Sequence, residues 1–161
     1  MESSTLTTSH VEIKKRMLET AIRKHQAVID ELRQSIKDML ATEGMDNEEE
    51  MGLSQQQIDT EMLQRSHEIA EHLQIANVEM KLLYDMVSTI GYAHNTVQLG
   101  SVVVTDKLIF FVSVSIEQFT LDGQKFFGLS TQSPLYKAME GKTTGDRFYY
   151  QNTAYQINDI F

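Results

Sequence analysis

Apolar positions in the first part of the chain recur at alternating steps of three and four. Between residues 10 and 40 the stripe runs Val11, Leu18, Ile22, Ile29, Leu32, Ile36 and Met39, with Lys15 and His25 in its two polar places. Between 55 and 90 it runs Met62, Ser66, Ile69, Leu73, Ala76, Met80, Leu83, Val87 and Ile90. This is the narrow seam of a coiled coil, and neither helix buries it alone. Ser9 with Glu12, and Ser54 with Gln57, have the spacing of capping boxes, and Leu53 with Ile58 that of a hydrophobic staple. The pattern predicts two long helices folded back on each other as an antiparallel hairpin, residues 1–92. An intermolecular coiled coil is the other way to bury such a seam, and the short turn favours the hairpin.

Past residues 91–100 the pattern changes. Ser101 to Thr105 and Leu108 to Ser115 are rich in Val, Phe and Ile and are split by Asp106-Lys107. Leu121-Asp122-Gly123 marks a turn before a third strand, Lys125 to Thr131. Ser133 followed by Pro134 predicts an N-cap and first helical position, and the short helix 135–140 ends at Gly141. Arg147 to Gln151 and Ala154 to Ile160 form a closing hairpin around Asn152-Thr153. The predicted order is β-β-β-α-β-β for residues 98–161, so the chain is α+β: a helical hairpin, then a small β-rich domain with one short helix. Tyr149 and Tyr150 point to opposite sides of their strand, so at least one belongs to the core. Tyr149, Tyr150 and Tyr155 together are a candidate docking surface.

Composition narrows the chemistry. There is no cysteine, which removes disulfides, thiol catalysis and thiolate metal sites. The net charge of -9 argues against a sequence-specific or general duplex-DNA binder. No apolar run is long enough for a membrane span, and Met-Glu-Ser-Ser-Thr has no signal-peptide character, so a cytoplasmic location is expected. No Walker loop, dinucleotide glycine pattern or Ser-His-Asp set occurs.

Charge is unevenly spread. Lys14, Lys15, Arg16, Arg23, Lys24, Arg33 and Lys37 lie on the first helix. Residues 38–64 hold no base and carry Asp38, Glu43, Asp46, Glu48, Glu49, Glu50, Asp59 and Glu61. The acidic apex, about residues 41–54, is either a solvated turn or a set of oxygen ligands for a hard cation such as Mg²⁺, completed by a partner's phosphates. A hairpin centred near Glu48 and Glu49 sets His72 level with His25. With Glu68 nearby this is either a metal site or a hydrogen-bonded His pair.

The C-terminal half carries a more specific pattern. Residues 128–146 read Gly-Leu-Ser-Thr-Gln-Ser-Pro-Leu-Tyr-Lys-Ala-Met-Glu-Gly-Lys-Thr-Thr-Gly-Asp. This resembles the signature of the Gre transcript-cleavage factors, carried by Ser133, Pro134, Leu135, Ala138, Gly141, Lys142, Gly145 and Asp146. The layout, a long helical hairpin before a small FKBP-like domain, is similar as well. The resemblance implies a partner, bacterial RNA polymerase core. The C-terminal domain would dock at the rim of the secondary channel, with Ser133, Pro134, Leu135, Gly141 and Lys142 at the contact. The hairpin would enter the channel. In the family an Asp-x-x-Glu pair at the apex helps hold the catalytic Mg²⁺ while the polymerase cleaves backtracked RNA. Asp46 and Glu49 stand at that spacing, with Glu48 and Glu50 as substitutes in another register. Lys14, Lys15, Arg16, Arg23 and Lys24 are either a solvated helix face or, as the resemblance implies, contacts to RNA near its 3′ end. On this reading the chain is not itself an enzyme, holds no cofactor of its own and shares Mg²⁺ with the polymerase. Glu50 stands where the family has Asn, and Met51-Gly52-Leu53 replaces its small and aromatic residues. Two further readings stay open: a channel-binding inhibitor without cleavage activity, and a coiled-coil adaptor unrelated to transcription. The FKBP-like fold by itself implies no prolyl isomerase.

Overall fold

A computed structural model describes residues 2–43 and 55–161, with side-chain surroundings for 10–41 and 60–161. Helix α1 spans Glu2–Glu43 and α2 spans Gln55–Asp85. Six strands follow: β1 Val102–Thr105, β2 Ile109–Ser113, β3 Ile116–Leu121, β4 Gln124–Ser130, β5 Arg147–Tyr150 and β6 Thr153–Ile160, with α3, Pro134–Met139, between β4 and β5. The architecture is the α+β arrangement expected, an N-terminal helical pair before a β-rich domain with one short helix.

Four local expectations are corrected. The first helix does not begin at Ser9 but runs through it from Glu2. The seam places Lys14, not Lys15, inside: Lys14 is buried and Lys15 exposed. Met17 and Ala21 are buried with Lys14, while Leu18, His25 and Ile29 of the expected stripe are buried as well, so the inward face of α1 is wider than that stripe near its start. On α2 the seam holds through Ala76, Met80 and Leu83, but Val87 is exposed. The α-helix ends at Asp85 and tightens into a 3₁₀ turn, Met86–Ser88, which rotates Met86 inward in place of Val87. The strand order has one more member than expected, β3, whose Ile116, Phe119 and Leu121 precede the Asp122-Gly123 turn, with a register shift between Ile116 and Phe119.

By contact density the chain divides into two compact units, 1–24 with 81–161, and 25–80. In the first, a six-stranded sheet has the order β3-β4-β2-β1-β6-β5. Only β2 and β4 are parallel; β1 pairs antiparallel with both β2 and β6. On one face Val103, Phe110, Val112, Leu129, Ile157 and Ile160 pack with Tyr136 and Met139 of α3. Register puts Val102 opposite Phe111, and Phe119 opposite Phe126, on the other face, where all four are buried. Gly128 lies on that second face. A Cβ there would stand 2.6 Å from Ile116 Cβ and from the Val114 carbonyl oxygen, so only glycine lets β3 close onto β4.

Both tight hairpins need left-handed backbone. Asp122 (φ 51) and Gly123 (φ 79) join β3 to β4. Gln151 (φ 47) and Asn152 (φ 61) join β5 to β6, so that turn sits one residue earlier than Asn152-Thr153. Tyr149 is exposed and Tyr150 half-buried, and the core position between them and the turn at 145–146 belongs to Phe148.

Candidate functional site

The signature segment builds one compact corner. Ser133 Oγ accepts from the Tyr136 amide at 3.2 Å and donates to the Ser130 carbonyl at 2.9 Å, capping α3. Pro134 occupies the first turn, where no amide donor is needed. The Glu140 amide closes the helix on the Tyr136 carbonyl, and Gly141 (φ 75) turns the chain away. Residues 141 and 142 then pair with the linker. The Gly141 amide donates to the Val97 carbonyl at 3.0 Å, and the Val97 amide to the Lys142 carbonyl at 2.9 Å. Asp146 accepts from the Thr143 amide at 2.9 Å, across a turn whose Gly145 has φ 93. Gly145 and Asp146 exchange main-chain bonds with Ile157, tying the corner to β6.

Each of the eight matching residues thus has a place in building this corner. Leu135 and Ala138 pack against the core. Of the five expected at a partner contact, Pro134 and Gly141 are exposed and Ser133, Leu135 and Lys142 are half-buried. They are contiguous around α3 and its C-terminal turn.

The acidic apex residues Asp46 and Glu49, with Glu48 and Glu50, lie outside the described residues. So do Leu53 and Ser54, and with them the expected capping box and staple at the start of the second helix.

The five basic residues expected at RNA do not act alike. Lys14 is only 2% exposed and donates from Nζ to the Tyr92 carbonyl at 2.9 Å. Burial lowers its pKa from 10.5 to about 8. Burial also lowers the pKa of the neighbouring His94 imidazole, with the Lys14 charge as a smaller cause. Lys14 is therefore an interior residue, a correction to its expected RNA contact. Arg16 Nη1 is 2.6 Å from Asp122 Oδ2, and this bond raises the guanidinium pKa further. Lys15, Arg23 and Lys24 remain exposed. Glu12, Glu19 and Asp30 share the exposed surface of the same helix, so its charge alternates in sign.

Sequence reasoning missed the tertiary anchors of α1. His10 stacks on Phe161 with ring centroids 3.9 Å apart. Ile13, Arg16, Leu121, Asp122, Gln124 and Phe126 line a cleft of about 260 Å³. No local signal marks pairs more than a hundred residues apart in the chain.

In the second unit, His25 Nε2 lies 3.0 Å from the Ala76 carbonyl oxygen and 3.4 Å from Glu79 Oε2. A carbonyl only accepts, so Nε2 carries the proton. Desolvation raises the Glu79 pKa, with the His25 charge opposing it. His72 is exposed, so the expected His25–His72 pairing is replaced by His25 with Ala76 and Glu79. The mismatch is one helical turn along α2. Among the described residues no cluster of three or more His, Asp or Glu could hold a metal, and no helix is long and apolar enough to cross a membrane.

The class defined here is a pair of long helices followed by a six-stranded sheet with one capped short helix. No protein-family profile matches the chain. No curated protein matches it either. Among solved structures it is similar to the GreA factor homolog Gfh1 of Thermus thermophilus, at 15% identity and TM-score 0.35, over 91% of this chain and 94% of that one. It is also similar to Gfh1 of Thermus aquaticus, at 17% identity and TM-score 0.31, over 90% and 92%. Identity and TM-score are both low, and the likeness assigns no role to any residue of this chain.

Proposed function

We propose that the chain is a transcription elongation factor of the Gre type that binds bacterial RNA polymerase core. The observation that carries this reading is the corner at 133–146. There the Gre-like signature forms a capped helix, a Gly141 turn and a Gly145-Asp146 turn, in a chain that begins with two long helices. On this reading the α3 corner docks on the polymerase. The helical pair enters the secondary channel, and Asp46 and Glu49 help hold a Mg²⁺ that the polymerase also ligates. The metal would stabilise the charge that develops as the backtracked RNA is cleaved near its 3′ end. The chain supplies carboxylates and positioning, and the polymerase performs the chemistry. Lys15, Arg23 and Lys24 are the basic residues exposed for RNA contact.

Two measurements test the reading. Purified protein should co-elute with polymerase core on gel filtration, and failure to do so favours an adaptor role outside transcription. On stalled, backtracked complexes the wild type should shorten the transcript, and an Asp46→Ala/Glu49→Ala double variant should not. The departures at Glu50 and Met51-Gly52-Leu53 favour a second reading, an inhibitor that occupies the channel. That outcome is slowed nucleotide addition with no cleavage by either protein.

A further inference from the structure

We propose that the Asp122–Gly123 turn is a site of spontaneous isomerisation of aspartate to isoaspartate, and that the Arg16–Asp122 ion pair holds it in check. Asp122 is the one aspartate in the chain followed by glycine, and no Asn-Gly pair occurs. Glycine matters because nothing on its Cα obstructs the approach of its amide nitrogen to the preceding side chain. The other aspartates of the sheet unit precede Met, Lys, Arg or Ile. Three of them are also held by backbone amides: Asp106 by Gln156, Asp146 by Thr143 and Asp159 by Ile160. Asp122 differs in having its carboxylate held by a distant side chain, Arg16 Nη1 at 2.6 Å. Its side chain is 62% exposed.

The reaction balances with water alone. The Gly123 nitrogen attacks Asp122 Cγ, a new N–Cγ bond forms, and the carboxyl oxygen leaves as water with the amide proton. The resulting five-membered succinimide is opened by one water. Attack at Cγ restores aspartate. Attack at the main-chain carbonyl leaves the chain running through Cβ and Cγ, with the former α-carboxyl as the side group. No electrons are transferred.

The competent electrophile is the neutral acid, because a carboxylate has no ready leaving group. An ion-paired oxygen is held in the unreactive form, and the bond also restrains the rotation the side chain needs to reach the next amide. The two-residue turn adds a second restraint, since both of its φ angles are positive. The guard is weak by construction: Arg16 and Asp122 are 41% and 62% exposed, and an exposed pair is screened by salt. Once isomerised, the turn carries an extra methylene in its backbone and cannot close as a two-residue hairpin. The carboxylate leaves Arg16, and the cleft beside Ile13 and Phe126 loses a wall.

The test is warm incubation of the full-length protein over weeks at mildly acidic pH. Tryptic mapping then follows the peptide 108–125, in which Asp122 is the lone aspartate. Isoaspartate is read by fragment-ion analysis and by methyl transfer from labelled S-adenosylmethionine with an isoaspartyl methyltransferase. The expected result is accumulation in this peptide above those of Asp106, Asp146 and Asp159, several-fold faster in Arg16→Gln than in wild type. High salt on the wild-type protein should accelerate it in the same direction without any substitution. Equal rates in wild type, Arg16→Gln and high salt overturn the guarding role. Isoaspartate no more abundant at Asp122 than at the other three sites overturns the site itself.

Discussion

At the scale of single residues, Lys14 shows how far burial can override composition. A lysine that opens a Lys-Lys-Arg run reads as part of a basic surface, yet its ammonium lies inside, bound to the Tyr92 carbonyl. A buried ammonium without a carboxylate partner costs stability. Below pH 8 the lysine is protonated whether folded or unfolded, so that cost is fully present. Above pH 8 the folded protein loses the proton first, and stability from this group rises until the unfolded chain loses it near pH 10.5. Urea midpoints measured across that window should therefore rise for wild type relative to Lys14→Met. Parallel curves for the two proteins would show that Lys14 is not desolvated. Its signal was absent from the sequence because nothing local distinguishes Lys14 from Lys15; the rotation of α1 against the sheet unit decides which one enters.

At the scale of elements, two positions have sharp consequences. Ser133→Ala removes the one side chain capping α3 and should destabilise the protein by about 1 kcal/mol. Ser133→Asp restores an acceptor and should recover much of the loss, measured by thermal denaturation. Gly128→Ala should be worse, about 2 to 3 kcal/mol, because its Cβ meets a Cβ and a backbone oxygen that have no easy retreat. Amide exchange should then speed up across β3 and β4 before the rest of the sheet. The strands rich in Val and Phe were legible from alternation, and α3 from its Ser-Pro start and Gly stop. Strand β3 was less so: Glu117, Gln118 and Thr120 dilute its apolar face, and its pairing across Asp122-Gly123 gives it the partner that composition alone does not reveal.

At the scale of the molecule, residues 1–24 and 81–161 form one compact unit and 25–80 another. The composition shift near residues 91–100 does not mark that division, because Met17, Leu18 and Ala21 are buried in the same unit as the sheet. Replacing 25–80 by a short Gly/Ser linker should leave a protein that unfolds cooperatively in urea. If the corner at 133–146 is the docking surface, this shortened chain should still co-elute with polymerase core, while any effect on transcript cleavage or nucleotide addition is lost. Loss of binding in a folded shortened chain would instead place the contact on the helices.

What the sequence by itself determined is the set of local structures: two seamed helices, a β-rich half, the Ser133-Pro134 cap and the glycine turns. Each depends on residues within a few positions of one another, through period, propensity and backbone sterics. Only the tertiary structure decided which lysine is buried, that His25 meets Ala76 and Glu79, that Arg16 clasps Asp122, and that the signature residues build the corner from within. Those facts depend on the rotation and register of elements far apart in sequence, where a shift of one residue exchanges an inside position for an outside one.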